Sequence, residues 1–179
     1  MNRKETTKFL SNLLESELKA LGRYYAKEVT IDNGSSNVKR VDFMEFTPGN
    51  GVFISGIEKG VFTCYEVKSC LEDVYSGNGL NFLGEKNYIV TDMATYKKIV
   101  EEIQNGRFDE HIRKVNPESS RYYGIMVAVP EGRKPEDEFA TPTPLETNCR
   151  WTYRKILPCR QGPRRRSITE LLFCMLRAK

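Results

Sequence analysis

Val61-Phe62-Thr63-Cys64-Tyr65-Glu66-Val67-Lys68 is the stretch on which the fold of this chain turns. Its first five residues are mostly apolar, β-branched or aromatic, the composition of a strand entering a buried sheet. Side chains alternate across a strand, so Glu66 and Lys68 share one face while Val67 turns to the other. A carboxylate and an ammonium held two residues apart on rigid backbone suit metal-assisted hydrolysis of a phosphodiester. Glu66 offers oxygen to a divalent cation, the Val67 carbonyl is a second hard ligand, and Lys68 can orient a water or offset developing charge. A plain ion pair at a strand end fits the same letters, because Glu-x-Lys is common by chance.

The elements upstream lead into that strand. Residues 5–21 read as a helix with Phe9, Leu10, Leu13, Leu14, Leu18 and Leu21 on one side and Gly22 as its stop. Glu17 falls about 20° from Leu10 on the helical wheel, inside the apolar arc. A buried carboxylate must be paired or bound to metal, so Glu17 is a candidate to converge on Glu66, or else it bends outward or meets an internal Arg. A short strand is expected over Glu28–Ile31, then a turn, then an alternating strand from Lys39 to Phe46. On the latter Asp42 shares a face with Met44 and Phe46, whereas Glu45 should point to solvent. Another turn at Pro48-Gly49-Asn50-Gly51, an apolar segment over 52–57 and a turn at Glu58-Lys59-Gly60 complete an antiparallel meander with a helix on one face.

Downstream, Ser69 and Glu72 have capping-box spacing, and the Gly- and Asn-rich stretch from Tyr75 to Lys86 is a loop. Loops that follow a catalytic strand often touch substrate, and this one offers Asn78, Asn81 and Lys86. A strand over 87–91, a helix over 93–104 capped by Asp92, and a strand over 122–130 form a β-α-β unit. Residues 107–120 are polar and give no clear pattern. The charged, Pro-rich stretch after Pro130 reads as a linker or flap running to residue 150, so a core of 1–130 is followed by a basic segment, 151–179. Trp151-Thr152-Tyr153 should pack back on the body, and a second capping box at Ser167 and Glu170 opens a largely apolar terminal helix that must dock on the core or on a partner, either a second copy of the chain or a phage or repair protein.

Composition narrows the chemistry. At 179 residues the chain suits one domain, and no apolar run approaches the roughly 20 residues of a membrane span, so a cytoplasmic protein is expected. The five cysteines show no Cys-x-x-Cys spacing, which favours reduced thiols over a disulfide frame or zinc site. His111 is the only histidine, so carboxylates must carry any metal. Nine of the 28 Lys/Arg residues but one of the 24 acids fall from Arg150 onward, which concentrates positive charge in the tail. Arg164-Arg165-Arg166 is its densest point and suggests contact with a phosphate backbone.

An inward Glu on a helix (Glu17), an Asp on the next long strand (Asp42) and Glu-x-Lys on the strand after it (Glu66, Lys68) resemble the PD-(D/E)XK nuclease superfamily. Cys64-Tyr65-Glu66-Val67-Lys68-Ser69, Asn78-Gly79-Leu80-Asn81-Phe82 with Gly84, Asn87-Tyr88, and Tyr123 to Pro130 are similar to small phage or prophage proteins related to the MmcB-like DNA repair nucleases. The resemblance spans roughly residues 5–130. It implies a mixed α/β (α+β) fold with a restriction-endonuclease-like αβββαβ core, and a Mg²⁺-dependent deoxyribonuclease, with Mn²⁺ as substitute, acting in a bacterial or phage-infected cell. Asp42 and Glu66 would be metal ligands, Lys68 would activate water and Glu17 would be an accessory acid. Val41 stands where the motif name has Pro, and the long span from Asp42 to Glu66 leaves Asp42 and Glu45 as rival partners of Glu66. A nucleic-acid-binding module of the same fold that does not cut is the alternative.

Overall fold

The computed structural model describes residues 1–117 and 122–178. Its frame is a six-stranded mixed sheet in which the strands lie in chain order: β1 (Tyr24–Ile31), β2 (Lys39–Thr47), β3 (Val61–Val67), β4 (Lys86–Asp92), β5 (Gly124–Pro130) and β6 (Trp151–Leu157). The first three strands form an antiparallel meander, β3, β4 and β5 run parallel, and β6 returns antiparallel. Tight turns suffice for the antiparallel joins, whereas the parallel step from β4 to β5 needs a crossover. It is made by α4 (Met93–Gln104) and α5 (Arg107–Val115).

Alternation along the central strands divides the core into two layers. Tyr65, Val67, Tyr88 and Val90 face helix α1 (Arg3–Ala20), which buries Leu10, Leu14 and Leu18 against them. On the opposite face Ile89, Ile125 and Val127 pack under α4 and α5. Beside them Phe62, Cys64, Met44 and Phe46 pack with Leu171 and Cys174 of the terminal helix α7 (Ile168–Arg177), which lies along β1. The N-termini of these helices are closed as their sequences require. Asn2 and Glu5 make a reciprocal capping box on α1, Asp92 accepts from Thr95 N on α4, and Ser167 accepts from Glu170 N on α7.

Several segments differ from the sequence expectation. Residues 52–58 hold a short helix, α2 (Ile54–Glu58); the short helix expected after β3 is present as α3 (Leu71–Val74), but its N-cap is Cys70 with no side-chain cap bond. The polar stretch after Gly106 contains α5, whose Phe108 and Ile112 are buried four residues apart; the end of that stretch, 118–120, lies outside the described residues. The Pro-rich segment after β5 is not a linker. It forms α6 (Pro135–Ala140), packed on α4, with Glu138 fully buried and held by Arg133 and Thr143. Because β6 then completes the sheet, the chain after residue 150 belongs to the same core. All five cysteines are free thiols, and no described helix is long and apolar enough to cross a membrane.

Candidate active site

The geometry around Glu66 follows from where two ladders stop. The β2–β3 register runs from Thr47↔Val61 to Phe43↔Tyr65 and ends there, so the next residues in register, Asp42 and Glu66, stand at the point where the strands part. On the other side of β2, pairing with β1 passes from Lys27↔Phe43 to Val29↔Val41. Between them Glu28 has a left-handed backbone, φ 53°, an uncommon conformation for a residue with a Cβ. Asp42 is thereby left out of regular pairing on both sides. Its Oδ2 accepts the Val67 N–H at 2.8 Å, doing the work of a missing carbonyl.

Beyond that point Lys68 N still bonds to Val90 O, and Thr91 Oγ1 donates to Lys68 O at 2.6 Å, so the backbone under the motif is fixed from the β4 side. Glu66 and Lys68 are almost fully buried, at 3% and 4% exposure. The Lys68 ammonium donates to the Asn78 carbonyl at 2.6 Å. The loop that brings Asn78 there depends on Gly79, with φ +72°. A Cβ on Gly79 would lie 2.7 Å from Glu66 Oε2 and 3.0 Å from Lys68 Nζ, so the backbone touches both groups.

Glu66 Oε1 is the one buried side-chain polar atom without a hydrogen-bond partner among the described residues. Burial first, and then the neighbouring Asp42 carboxylate, hold Glu66 well above the ordinary carboxylate range, against a smaller downward pull from Lys68 and Arg40. Burial also raises Asp42, opposed by the Val67 N–H and by Lys68. These groups line a cleft of about 710 Å³ that also takes in Arg3, Thr7, Arg40, Asn78 and Asn81. Among the described residues no cluster of three or more His, Cys, Asp or Glu side chains is built to hold a metal. The donor set here is two carboxylates with Val67 beside them.

The other sequence candidates fall elsewhere. Glu17 does not join Glu66, because α1 packs on the face occupied by Tyr65 and Val67, while Glu66 alternates to the other. Glu17 Oε1 instead accepts from Thr152 Oγ1 at 2.8 Å and from Tyr153 N at 2.6 Å, tying α1 to the edge strand β6. Glu45 is not in solvent. It is buried beneath α1, accepting from Tyr65 Oη at 2.5 Å and meeting Arg23 at 3.4 Å, which removes it as a partner for Glu66.

Asn78 and Asn81 do line the cleft, Asn81 Nδ2 donating to Arg40 O at 3.0 Å. Lys86 does not. It pairs with Thr63 at the opposite end of β3 and lines a separate cleft with Glu17, Tyr88 and Lys155. Two of the three arginines at 164–166 are paired within the protein. Arg164 bonds to Glu85 at 2.5 Å and to the carbonyls of Glu58 and Gly60, and Arg166 pairs with Asp32 at 2.6 Å and Glu170 at 3.0 Å. Arg165 is exposed and lines a second cleft, which shares Asn81 with the first. The sequence reading missed Arg40 and Glu28, a 3.0 Å pair whose charges act on both acids. Their role depends on the kink at Glu28, for which no periodicity gives a sign.

No family model, curated protein or solved structure matched the chain in the three comparisons.

Proposed function

We propose that this chain is a metal-dependent nuclease that hydrolyses phosphodiester bonds of DNA, on a restriction-endonuclease-like arrangement of strands. The observation that carries the proposal is Glu66: a nearly buried carboxylate with an unpartnered oxygen, lifted in pKa partly by the Asp42 carboxylate beside it. Two such acids, next in register on parting strands, fit a divalent cation better than they fit one another. Asp42 and Glu66 would hold it, with the Val67 carbonyl available as a further oxygen, and Mg²⁺ ordinarily keeps several waters where a protein supplies so few ligands. When bound, such an ion supplies Lewis acidity and lowers the pKa of a coordinated water.

The chain's own residues do the rest. The parted ladders fix Asp42 through Val67 N–H, the β4 contacts fix Lys68, and Gly79 lets the loop backbone close over both without a side chain in the way. Lys68 places a positive charge next to Glu66, where it can orient a nucleophilic water or stabilise negative charge building on the phosphate oxygens. Asn78 aims that ammonium through its carbonyl. The test is cleavage of labelled single-stranded, duplex and flapped DNA by the wild type, Glu66→Gln and Lys68→Ala with Mg²⁺ or Mn²⁺. Metal-dependent cutting lost in both variants is expected. Persistent DNA binding without cutting under either metal would instead establish a non-cleaving module.

A further inference from the structure

One rung of the sheet breaks the alternation of side chains in two strands at once. In β1 Tyr25 and Lys27 meet Glu15 of α1, Lys27 at 2.7 Å, and regular alternation would set Val29 on the same face. Val29 and Ile31 instead join the layer under α7. β2 slips at the same place: Phe43 packs in the α1 layer, yet Val41 lies in the α7 layer. The ladder keeps its count through the slip, with Lys27↔Phe43 on one side and Val29↔Val41 on the other. The residues left between, Glu28 and Asp42, are opposite in register, and both line the cleft that holds Glu66.

Glu28 makes the slip with φ 53°, a backbone that strains a residue with a Cβ and that glycine adopts freely. Nothing in the packing calls for a glutamate there. Its side chain is 55% exposed, and its one charged contact among the described residues is the 3.0 Å pair with the exposed Arg40, of the kind that contributes little to stability. Backbone strain kept beside a cleft without a structural return points to a side chain used for function.

The flanking pairs hold residues 28 and 42 at ladder spacing, where opposite Cβ atoms lie about 4.5–5.5 Å apart, close enough for two carboxylates to share an ion. The Glu28 charge pushes both Asp42 and Glu66 upward in pKa, so it acts on the same small volume. In that volume the nearly buried Glu66 keeps one oxygen, Oε1, without a hydrogen-bond partner. Asp73, the remaining acid of the cleft, is engaged by Arg3 at 2.8 Å and by Ser69. With Glu28 turned to Arg40, no group of three metal-ligating side chains is preformed among the described residues.

We propose that Glu28 is a third carboxylate ligand of the cation site formed by Asp42 and Glu66, reached by exchanging Arg40 for the ion. The ion itself rests on the nuclease reading given above; Glu28's part in holding it is read from the slipped rung. A third carboxylate offsets the charges of Lys68 and Arg40, which otherwise oppose a cation in this cleft.

The experiment is Mn²⁺ binding to the full chain without nucleic acid, followed by loss of the free-ion EPR signal, with water-proton relaxation counting the waters left on the bound ion. Glu28→Gln removes the charge. Glu28→Asp keeps it, suits a left-handed backbone and shortens the reach by one methylene. Both should weaken Mn²⁺ binding at least about tenfold, the lower end of what altering even an outer contact of a metal site does, and leave about one more water on the ion. Glu66→Gln should weaken binding as well, whereas Glu101→Gln, exposed on α4, should not. Circular dichroism melts show that each variant is folded.

Unchanged binding in both Glu28 variants, or an unchanged water count, overturns the assignment and leaves the two-acid centre standing. Weakening in Glu28→Gln alone overturns it too, because charge at a distance then accounts for the effect. A Glu66→Gln protein that binds Mn²⁺ as the wild type does puts the ion elsewhere, with the same result. A wild type that binds no Mn²⁺ removes the metal reading and Glu28's part with it. Cleavage reports separately: Mn²⁺ held by all three acids without cutting of DNA keeps Glu28 as a ligand and removes the nuclease reading.

Discussion

The carboxylate of Asp42 accepts the backbone N–H of Val67 at 2.8 Å, across the gap where β2 and β3 part. One side chain thus satisfies an amide at the end of β3 and keeps its charge beside Glu66. Asp42→Ala removes the acceptor and should cost about 1–3 kcal/mol, the usual penalty for stranding a buried polar group. Asp42→Asn keeps an oxygen for Val67 and should cost less. Both variants should lose metal-dependent cleavage, since each removes one of the two proposed ligands. Denaturant unfolding and a cleavage assay on the pair separate the two jobs; equal stability loss in Asn and Ala variants would show that the amide contact does not matter.

Glu66 and Asp42 are both held above their ordinary pKa when folded. For Glu66 the folded protein therefore binds the proton more tightly than the unfolded chain, whose value is near 4.5. Its contribution to stability is complete below that value and is lost as pH rises through the folded one. The melting temperature of metal-free wild type, relative to Glu66→Gln, should accordingly fall as pH rises above the unfolded value near 4.5 and on through the folded one. Mg²⁺ or Mn²⁺ at a hundredfold excess over Kd should return about 2.7 kcal/mol at the upper end. At the lower end protons compete for the same oxygens, and the shift should be smaller. A metal-induced shift of equal size in Glu66→Gln would place the ion elsewhere.

Gly79 is a position where backbone conformation and side-chain space act together. Its φ of +72° costs an L-residue roughly 1–2 kcal/mol, and a Cβ would press on Glu66 Oε2 and Lys68 Nζ. Gly79→Ala should therefore lower stability by about that amount and reduce cleavage through the displaced Lys68–Asn78 contact. Gly77 has a similar φ, +75°, but open space around it, so Gly77→Ala should share the stability loss while leaving the Lys68–Asn78 contact in place, and should reduce cleavage less than Gly79→Ala. Thermal melts and cleavage rates on both variants check the contrast.

Periodicity revealed much of this architecture because it reports which face of an element is buried. Alternation in β2 and β3 identified the strands bearing Asp42 and Glu66, and caps at Asp92 and Ser167 located two helix starts. It could not tell which layer a helix would cover. Glu17 lies in the apolar arc of α1 as its spacing requires, yet α1 rests on the face away from Glu66, and the carboxylate caps Tyr153 N instead. Glu45 shows the converse error, since a sheet covered on both faces buries its alternate acid too, provided Tyr65 and Arg23 are there to receive it. Two of the C-terminal arginines, Arg164 and Arg166, show a third effect. A charge count along the tail cannot see Glu85 and Asp32, which lie far away in sequence.

Arg164 tests that last point directly. Glu85 is 4% exposed in its side chain; one oxygen accepts from Phe62 N at 2.9 Å and the other meets Arg164 Nε at 2.5 Å. The guanidinium also bonds the carbonyls of Glu58 and Gly60, so it ties the residues before α7 to the start of β3. Arg164→Ala leaves a buried carboxylate without its counter-charge and should destabilise by about 3–5 kcal/mol, the range for breaking one side of a buried pair. Arg164→Ala with Glu85→Gln should recover part of that loss, because the charge that needed a partner is gone. Urea unfolding of the two variants and of Glu85→Gln alone closes the cycle. Should Arg164→Ala change stability by no more than a surface substitution while weakening DNA binding, Arg164 belongs to the phosphate contact that its place in the tail first suggested.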